Sequence, residues 1–250
     1  GAIIFQSGCH GSFIGRLDVT VKDGRISEHR HCLVPIDDAV PENPDVRSLV
    51  EKALVAQDAE LREVAGTVTA PLHRYAMLSA PMDDVLLEAI SGAAGTRIAF
   101  SNGWRYGAPI AAGPVTVDEL WNIIPTNPPV SVVDLSGAEI IQMLEDNLER
   151  TFAADPYEQM GGFVKRMRGV LMYFKAENPA GHRIDRLFID GEPVERDRTY
   201  TVAFVTEQGV PKKFGKNRRQ LDITAVDALK DLFKSRGAVS PSTTPTVIEV

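Results

Sequence analysis

The run Ser101-Asn102-Gly103-Trp104-Arg105-Tyr106 follows an apolar stretch, Arg97 to Ser101, that reads as a buried strand. An amide, a flexible backbone point, two aromatic faces and a guanidinium therefore gather at one strand end. The planar fork of Arg105 matches a phosphate, sulfonate or carboxylate. Segments that leave a rigid strand are where binding residues concentrate. Each residue also has a plainer reading. Arg105 could pair with Asp118 or Glu119. Asn102 could satisfy loop backbone. Trp104 and Tyr106 could be packing rather than ligand walls.

Further chemistry-bearing residues lie downstream. Asn127 sits between Thr126 and the Pro128-Pro129 pair, in a stiff loop expected to face the same rim; its alternative is a turn residue. The basic run Lys165-Arg166-Met167-Arg168 follows Gly161-Gly162. It reads either as a source of positive potential for an anion pocket or as a solvated strand edge. Arg168 fits both readings, and Lys165 fits the solvated edge better. Lys212, Lys213, Lys216, Arg218 and Arg219 read as a basic, flexible surface loop. No two histidines have the spacing of a helical metal pair. His29 and His31 would share one strand face as a surface pair. His73-Arg74 precedes a predicted helix. No nucleophile elbow, P-loop or dinucleotide fingerprint is present.

These residues need elements to position them. Phe13 to Lys22 and Arg25 to Pro35 alternate around Asp23-Gly24, a strong hairpin signal. Asp37 to Pro44 is a polar linker. Asn43 caps a predicted helix from Pro44 to Val64, which Gly66 ends. Beyond it, strands are predicted at Thr67–Pro71, Arg97–Ser101, Val130–Leu135, Val170–Lys175, Ile184–Ile189 and Tyr200–Thr206. Helices are predicted at Met82–Ile90, Thr116–Ile123, Ser136–Thr151 and Asp222–Ser235. Thr116 with Glu119, and Ser136 with Glu139, have the capping-box spacing. The tail after Gly237 reads as loose. The irregular alternation of strands and helices predicts an α/β fold or an α+β sandwich.

The chain has 250 residues, 44% hydrophobic and 24% charged, which suits a globular protein with a sizeable core. A net charge of −7 argues against nucleic acid as a main partner. No apolar run has the length of a membrane span. The chain opens without Met and in what reads as mid-strand, so a piece of a longer protein is expected. Cys9 and Cys32 are either an export-dependent disulfide or, the preferred reading, two half-buried free thiols.

The segment from Ala99 to Leu148 resembles the C-terminal domain of the 5′-nucleotidase family. The resemblance rests on Ser101-Asn102-Gly103-Trp104-Arg105, Gly113-Pro114-Val115-Thr116, Ile124-Pro125 and Val133-Asp134-Leu135-Ser136-Gly137-Ala138-Glu139, in the family's order. It extends over roughly Thr67 to Thr206 and implies an α/β (α+β sandwich) domain with a mixed sheet and flanking helices. Residues from Gln6 to Asp18 resemble the closing strands of the family's N-terminal metallophosphoesterase domain. The implied organisation is a fragment of that domain over 1–36, a linker and helix over 37–65, and a complete C-terminal substrate-recognition domain over 66–250.

The resemblance implies a parent hydrolase with a divalent metal pair, Mn or Zn, held by the preceding catalytic domain, and no cofactor in this fragment. It implies a small anionic substrate bound through Asn102, Trp104, Arg105, Tyr106, Asn127 and Arg168. It implies no catalytic residue and no metal ligand here, and an exported, periplasmic or extracellular protein. The sequence departs from classical nucleotidases in two places. Thr126 follows Pro125 where a base-stacking aromatic belongs, and the region after Phe204 lacks a Gly-Gly-Asp turn. Each loss removes about 1–3 kcal/mol of base stacking. Arg105-Tyr106-Gly107, Thr126 to Pro129 and Asp155 to Gly162 are nearer the thiosulfohydrolase-like branch of the Sox sulfur-oxidation system. A non-catalytic binding module descended from the family is the alternative.

Overall fold

The computed structural model describes residues 2–8, 11–104, 106–160, 162–242 and 244–250. The chain separates into two compact units, Gly1–Asp58 and Ala59–Val250.

In the first unit, β1 (Phe13–Lys22) and β2 (Arg25–Pro35) pair antiparallel with Phe13 opposite Pro35. Asp23 and Gly24 at the tip both have positive φ, 50° and 71°, as the tight hairpin turn requires. Helix α1 (Pro44–Leu54) starts on Asn43, whose side chain accepts from the Asp45 and Val46 amides. None of the residues of β2 or α1 is fully buried. Val46, Leu49, Val50, Leu54 and Val55 are all exposed. Cys32 is exposed, not half-buried; Cys9 lies outside the described residues.

The predicted helix to Val64 is shorter than expected. After α1 the chain turns, forms α2 (Asp58–Leu61) and enters β3 (Val64–Val68). Sheet pairing overrides the helical period here, because Val64 pairs with Thr116 and Val68 with Gly113. Gly66 is a strand residue rather than a helix stop. A Cβ on it would lie 2.8 Å from Phe233 Cδ1 and 3.0 Å from the Gly237 carbonyl oxygen.

The second unit continues with α3 (Pro81–Ala94), β4 (Ile98–Gly103), β5 (Gly113–Thr116), α4 (Val117–Ile123), β6 (Pro129–Ser136), α5 (Gly137–Phe152), β7 (Phe163–Arg168), β8 (Val170–Phe174) and β9 (Ile184–Ile189). Then come β10 (Glu192–Pro193), β11 (Thr199–Phe204), α6 (Thr206–Gly209), β12 (Lys216–Thr224), α7 (Ala225–Arg236), β13 (Ala238–Val239) and β14 (Val247–Glu249). Both predicted capping boxes close, at Thr116 with Glu119 and at Ser136 with Glu139.

The central sheet has the order β12-β6-β11-β4-β7 and is mixed: β4 runs parallel to β11, while the other neighbours are antiparallel. Alternation along the strands assigns its two faces. Ala99 and Ala203 pack with Val85, Leu86 and Ile90 of α3 and Leu229 and Phe233 of α7. Ile98, Phe100, Val202 and Phe204 pack on the other side with Ile140, Leu144 and Leu148 of α5. The sheet β10-β9-β8-β14 joins that second core through Met172, Phe174, Leu187 and Val247. This is the expected mixed sheet with flanking helices.

Two segments are more ordered than the sequence predicted. Residues 216–224 form β12 along β6 instead of a flexible loop. The tail contributes β13 beside β3 and β14 beside β8. Both are edge additions, where backbone pairing tolerates polar side chains.

Candidate functional site

Strand β4 delivers Asn102 to the rim of a cavity of about 460 Å³, also lined by Arg150, Gly162, Lys165, Gln208 and Lys212. Four elements build it: the end of β4, the last turns of α5, the start of β7 with the segment before it, and α6 with the loop after it. Gln208 is the hub. Its side-chain oxygen accepts from Trp104 Nε1 at 3.1 Å and, more weakly, from Asn102 Nδ2 at 3.5 Å. The loop after α6 is held from beneath by Arg218, which donates to the carbonyls of Val210, Pro211 and Phe214 and lies over the Phe204 ring. A side chain read as part of a mobile surface loop is thus a loop anchor.

Charges at the cavity are partly paired. Lys213 bridges Asp146, and Lys212 bridges Glu207. Arg150 is exposed on α5 and makes no salt bridge among the described residues, though its charge acts on Asp146. Lys165 is buried at 3% exposure, and its ammonium donates to the carbonyls of Gln208 and Gly209 at 2.7 and 2.8 Å. Burial, with Arg150 adding to it, lowers the Lys165 ammonium to about 7. The solvated-edge reading of Lys165 is therefore corrected. Residue 165 alternates inward to the α5 face of a strand that both faces of the fold cover.

Trp104 is buried in the core shared with α3. Tyr106 stacks on it, with ring centroids 5.6 Å apart. The Arg74 guanidinium lies 5.7 Å from the Trp104 centroid and 5.2 Å from that of Tyr106. Burial raises the Tyr106 phenol to about 12, against the opposing pull of Arg74. The aromatic pair thus packs behind the rim, on a buried cation.

Arg74 belongs to a network with no local sequence signature. It donates to Asp83 Oδ1 and to the carbonyls of Tyr106 and Ile123. Arg166 takes the other oxygen, Asp83 Oδ2, and the carbonyls of Met77 and Ala76. All three side chains are at most 2% exposed. The triad ties the segment before α3 to β7 and to the residues after β4.

The remaining predicted residues fall elsewhere. Asn127 has φ of 37°, and its side-chain oxygen accepts from the Val226 amide at the start of α7. Its amide serves as a cap, not as a rim group. Arg168 pairs across from Ala99, three residues down β4 from Asn102, and points to Glu88 of α3. At about 3.3 Å per residue that is roughly 10 Å away. It lines a separate cleft of about 900 Å³ between α3 and α7, together with Asp84, Glu88 and Arg236. Burial and Asp83 raise the Asp84 carboxyl to about 6. Arg105 lies outside the described residues. No group of three or more His, Cys, Asp or Glu among the described residues is placed to hold a metal ion. No helix among them is long and apolar enough to cross a membrane.

Residues 64–206 match the family described as 5′-nucleotidase, C-terminal domain. The chain belongs to that family. The match begins at β3 and ends at the start of α6, so it spans Asn102 and Lys165 and stops just before Gln208. Among individual relatives, the trifunctional nucleotide phosphoesterase YfkN of Bacillus subtilis is 27% identical over 217 residues, 80% of this chain and 14% of YfkN. The fold is that of the sulfate thiohydrolase SoxB of Thermus thermophilus, with a TM-score of 0.85 at 24% identity over 96% of this chain and 45% of SoxB. A 5′-nucleotidase precursor from the same species gives 0.81 at 21% identity, over 96% of this chain and 50% of its own. The chain therefore spans about half the length of these solved relatives and a smaller part of the curated one.

Within this 5′-nucleotidase-type domain, Thr126 is exposed in the turn between α4 and β6. The segment after β11 forms α6 and presents Gln208. An amide stands there in place of the Gly-Gly-Asp turn that the family resemblance leads one to look for.

Proposed function

We propose that this chain is the substrate-recognition part of a two-metal-dependent hydrolase, and that the strand-end cavity at Asn102 takes a small anionic substrate. The observation that carries the reading is the uncompensated positive charge there. Once Lys213 and Lys212 are paired, two cations are left over: Arg150 makes no salt bridge among the described residues and acts on the already paired Asp146 only through space, and the Lys165 ammonium meets carbonyls. Such a recess attracts a phosphate ester or a sulfur oxyanion. Asn102 and Gln208 supply the amides that orient it, and Arg105, three positions after Asn102 in the sequence, is proposed to contribute its planar fork. These groups act by positioning, holding the ester in one attitude for attack.

The catalytic domain is expected to precede this chain. The first unit supports that expectation. Its hairpin is almost wholly exposed, and α1 leaves an apolar stripe uncovered. An isolated hairpin of this kind is marginal in water and needs a further layer. A Mn or Zn pair would belong to that domain and supply Lewis acidity there; the described residues offer no cluster for one. Export to the periplasm or beyond follows the family resemblance alone.

Names of relatives point to two substrate classes, nucleotide phosphoesters and a sulfate thiohydrolase substrate. Exposed Thr126 and the amide of Gln208 favour a compact oxyanion over a stacked base. The alternative, a binding module without catalysis, also draws on the missing stacking ring. The test uses the whole parent protein with Mn²⁺ or Zn²⁺, assayed on nucleoside monophosphates and thiosulfonates. We expect Arg150→Ala and Arg105→Ala each to raise KM at least about tenfold. An unchanged KM in both variants would overturn the assigned site. Binding without any turnover would favour the alternative.

A further inference from the structure

Helix α6 starts on a strained residue. Thr206 is β-branched, yet its φ is 60°, and its hydroxyl is buried with no hydrogen-bond partner among the described residues. A backbone outlier of this kind costs about 1–3 kcal/mol and persists only where its surroundings impose it. The neighbouring restraint is Lys165. Two of its three ammonium donors are spent on consecutive carbonyls of this turn, Gln208 and Gly209. Its own strand is fixed in turn, because the Lys165 amide donates to Asn147 Oδ1 on α5 at 2.6 Å. On the outer side of the same turn, Gln208 reaches Trp104 and Asn102.

We propose that Lys165 is a positioning residue for the strand-end cavity, its ammonium holding the strained Thr206–Gly209 turn so that Gln208 meets Asn102 and Trp104. The anion-binding consequence rests on the function proposed above; the hold on the turn does not. Charge-assisted bonds to two carbonyls weaken when the ammonium loses its proton. With a value of about 7, that loss falls in the neutral range. Below it the turn is held and the cavity carries one more positive charge. Above it both are lost.

Several charged groups share the cavity with Lys165. Asp146 and Arg150 of α5, Glu207 of α6, and Lys212 and Lys213 of the loop that follows line the same cavity as Lys165, and of these Arg150 acts on its ammonium. β4 contributes Asn102 to the cavity, and that residue does not titrate. None of these is a histidine. Asp84, at about 6, lies in the other cleft, against α3. Replacing Lys165 therefore separates its titration from that of Asp84.

The experiment uses the intact chain and two readouts. The first is the Trp104 indole N–H resonance followed from pH 5.5 to 9, with Trp121→Phe identifying which of the two indoles is which. It should shift through a midpoint near 7, because its acceptor Gln208 moves as the turn loosens. The shift should vanish in Lys165→Met. The second is sulfate affinity, since sulfate keeps its charge over this range. The charged fraction of a group titrating at 7 drops from about 0.9 at pH 6 to about 0.09 at pH 8, so the sulfate Kd should rise about tenfold. Lys165→Arg should bind sulfate with a flat profile. An indole resonance that ignores pH in the wild type, or one that titrates unchanged in Lys165→Met, overturns the proposal. Should Lys165→Met fail to fold, the wild-type titration alone decides. Sulfate binding absent at every pH sinks the anion site instead, and leaves the indole result to judge Lys165.

Discussion

Arg74 Nε lies 2.8 Å from Asp83 Oδ1, and neither side chain reaches solvent. Arg166 grips the second oxygen of the same carboxylate at 3.1 Å. One anion thus serves two buried cations, and the surplus positive charge is spread over four backbone carbonyls. Removing Asp83 leaves two buried guanidiniums with no carboxylate bonded to them, and only Asp84 acting on Arg166 through space. Breaking such a group from one side costs about 3–5 kcal/mol, a large share of the roughly 5–15 kcal/mol that holds a domain together. Asp83→Ala should therefore lower the urea midpoint steeply. Glu51→Ala is the control. Its partner Arg47 is exposed at the i,i+4 position of α1, and pairs of that kind are worth less than about 1 kcal/mol. Equal losses from the two substitutions would refute the account.

The next residue, Asp84, behaves in the opposite sense. Its carboxyl rises to about 6, first because it is buried and second because Asp83 is beside it. A raised acid binds its proton more tightly folded than unfolded. The penalty for its charge is therefore full above about pH 6 and relieved as pH falls toward the ordinary value near 4. Asp84→Asn should stabilise the protein at pH 7.5 by on the order of 1 kcal/mol, after allowing for solvent screening, and by much less at pH 4.5. Thermal unfolding at the two pH values reads the difference. A gain of equal size at both would show that charge is not the cause.

The sequence showed most of what is periodic and little of what is distant. Asp23-Gly24 between alternating strands, Asn43 before Pro44, and the two capping boxes are local patterns, and each appears where its chemistry requires. The strand leading to Asn102 was equally legible, because a buried strand reads as a continuous apolar run. Arg74, Asp83 and Arg166 were not, since their separations of 9 and 83 residues carry no spacing rule. Lys165 was misplaced for a related reason. A basic run in a strand ordinarily means a solvated edge, but β7 is flanked by α3 on one face and α5 on the other. Gln208 had no motif at all. Its role comes from where α6 turns.

A steric prediction concerns Gly169, the single residue between β7 and β8. Its φ is 72°, and a Cβ there would stand 2.4 Å from the Arg97 carbonyl oxygen. Backbone atoms cannot swing aside as a flexible side chain can. Gly169→Ala meets both the left-handed penalty of about 1–2 kcal/mol and this clash. Its unfolding free energy should drop by more than that penalty alone. Gly24→Ala tests the conformational part by itself, because Gly24 has a similar φ of 71° and open space around the Cβ position. A Gly169→Ala loss no larger than that of Gly24→Ala would mean that the strand junction yields.

The start of α5 ties helix stability to acid. Ser136 Oγ accepts from the Glu139 amide at 3.2 Å, and Glu139 Oε2 accepts from the Ser136 amide at 2.8 Å. The other oxygen, Oε1, accepts from the Gly215 amide at 2.8 Å, so one carboxylate joins the helix to the turn before β12. The Ser136 and Gly215 amides hold the Glu139 carboxyl below its ordinary value, against a smaller opposing effect of burial. A lowered acid stabilises the fold above its unfolded value, near 4.3, and the contribution is lost as pH falls through the folded value. Ser136→Ala should cost about 1 kcal/mol at pH 7, the usual worth of a helix cap. Glu139→Gln keeps the shape but removes the charge. It should be destabilising at pH 7 and nearly neutral at pH 2.5, where the wild-type carboxyl is itself protonated. Urea unfolding of both proteins at the two pH values measures this. A Glu139→Gln deficit that persists undiminished at pH 2.5 would assign the stabilisation to packing rather than to the carboxylate, and would separate the cap from the acid sensitivity derived for it.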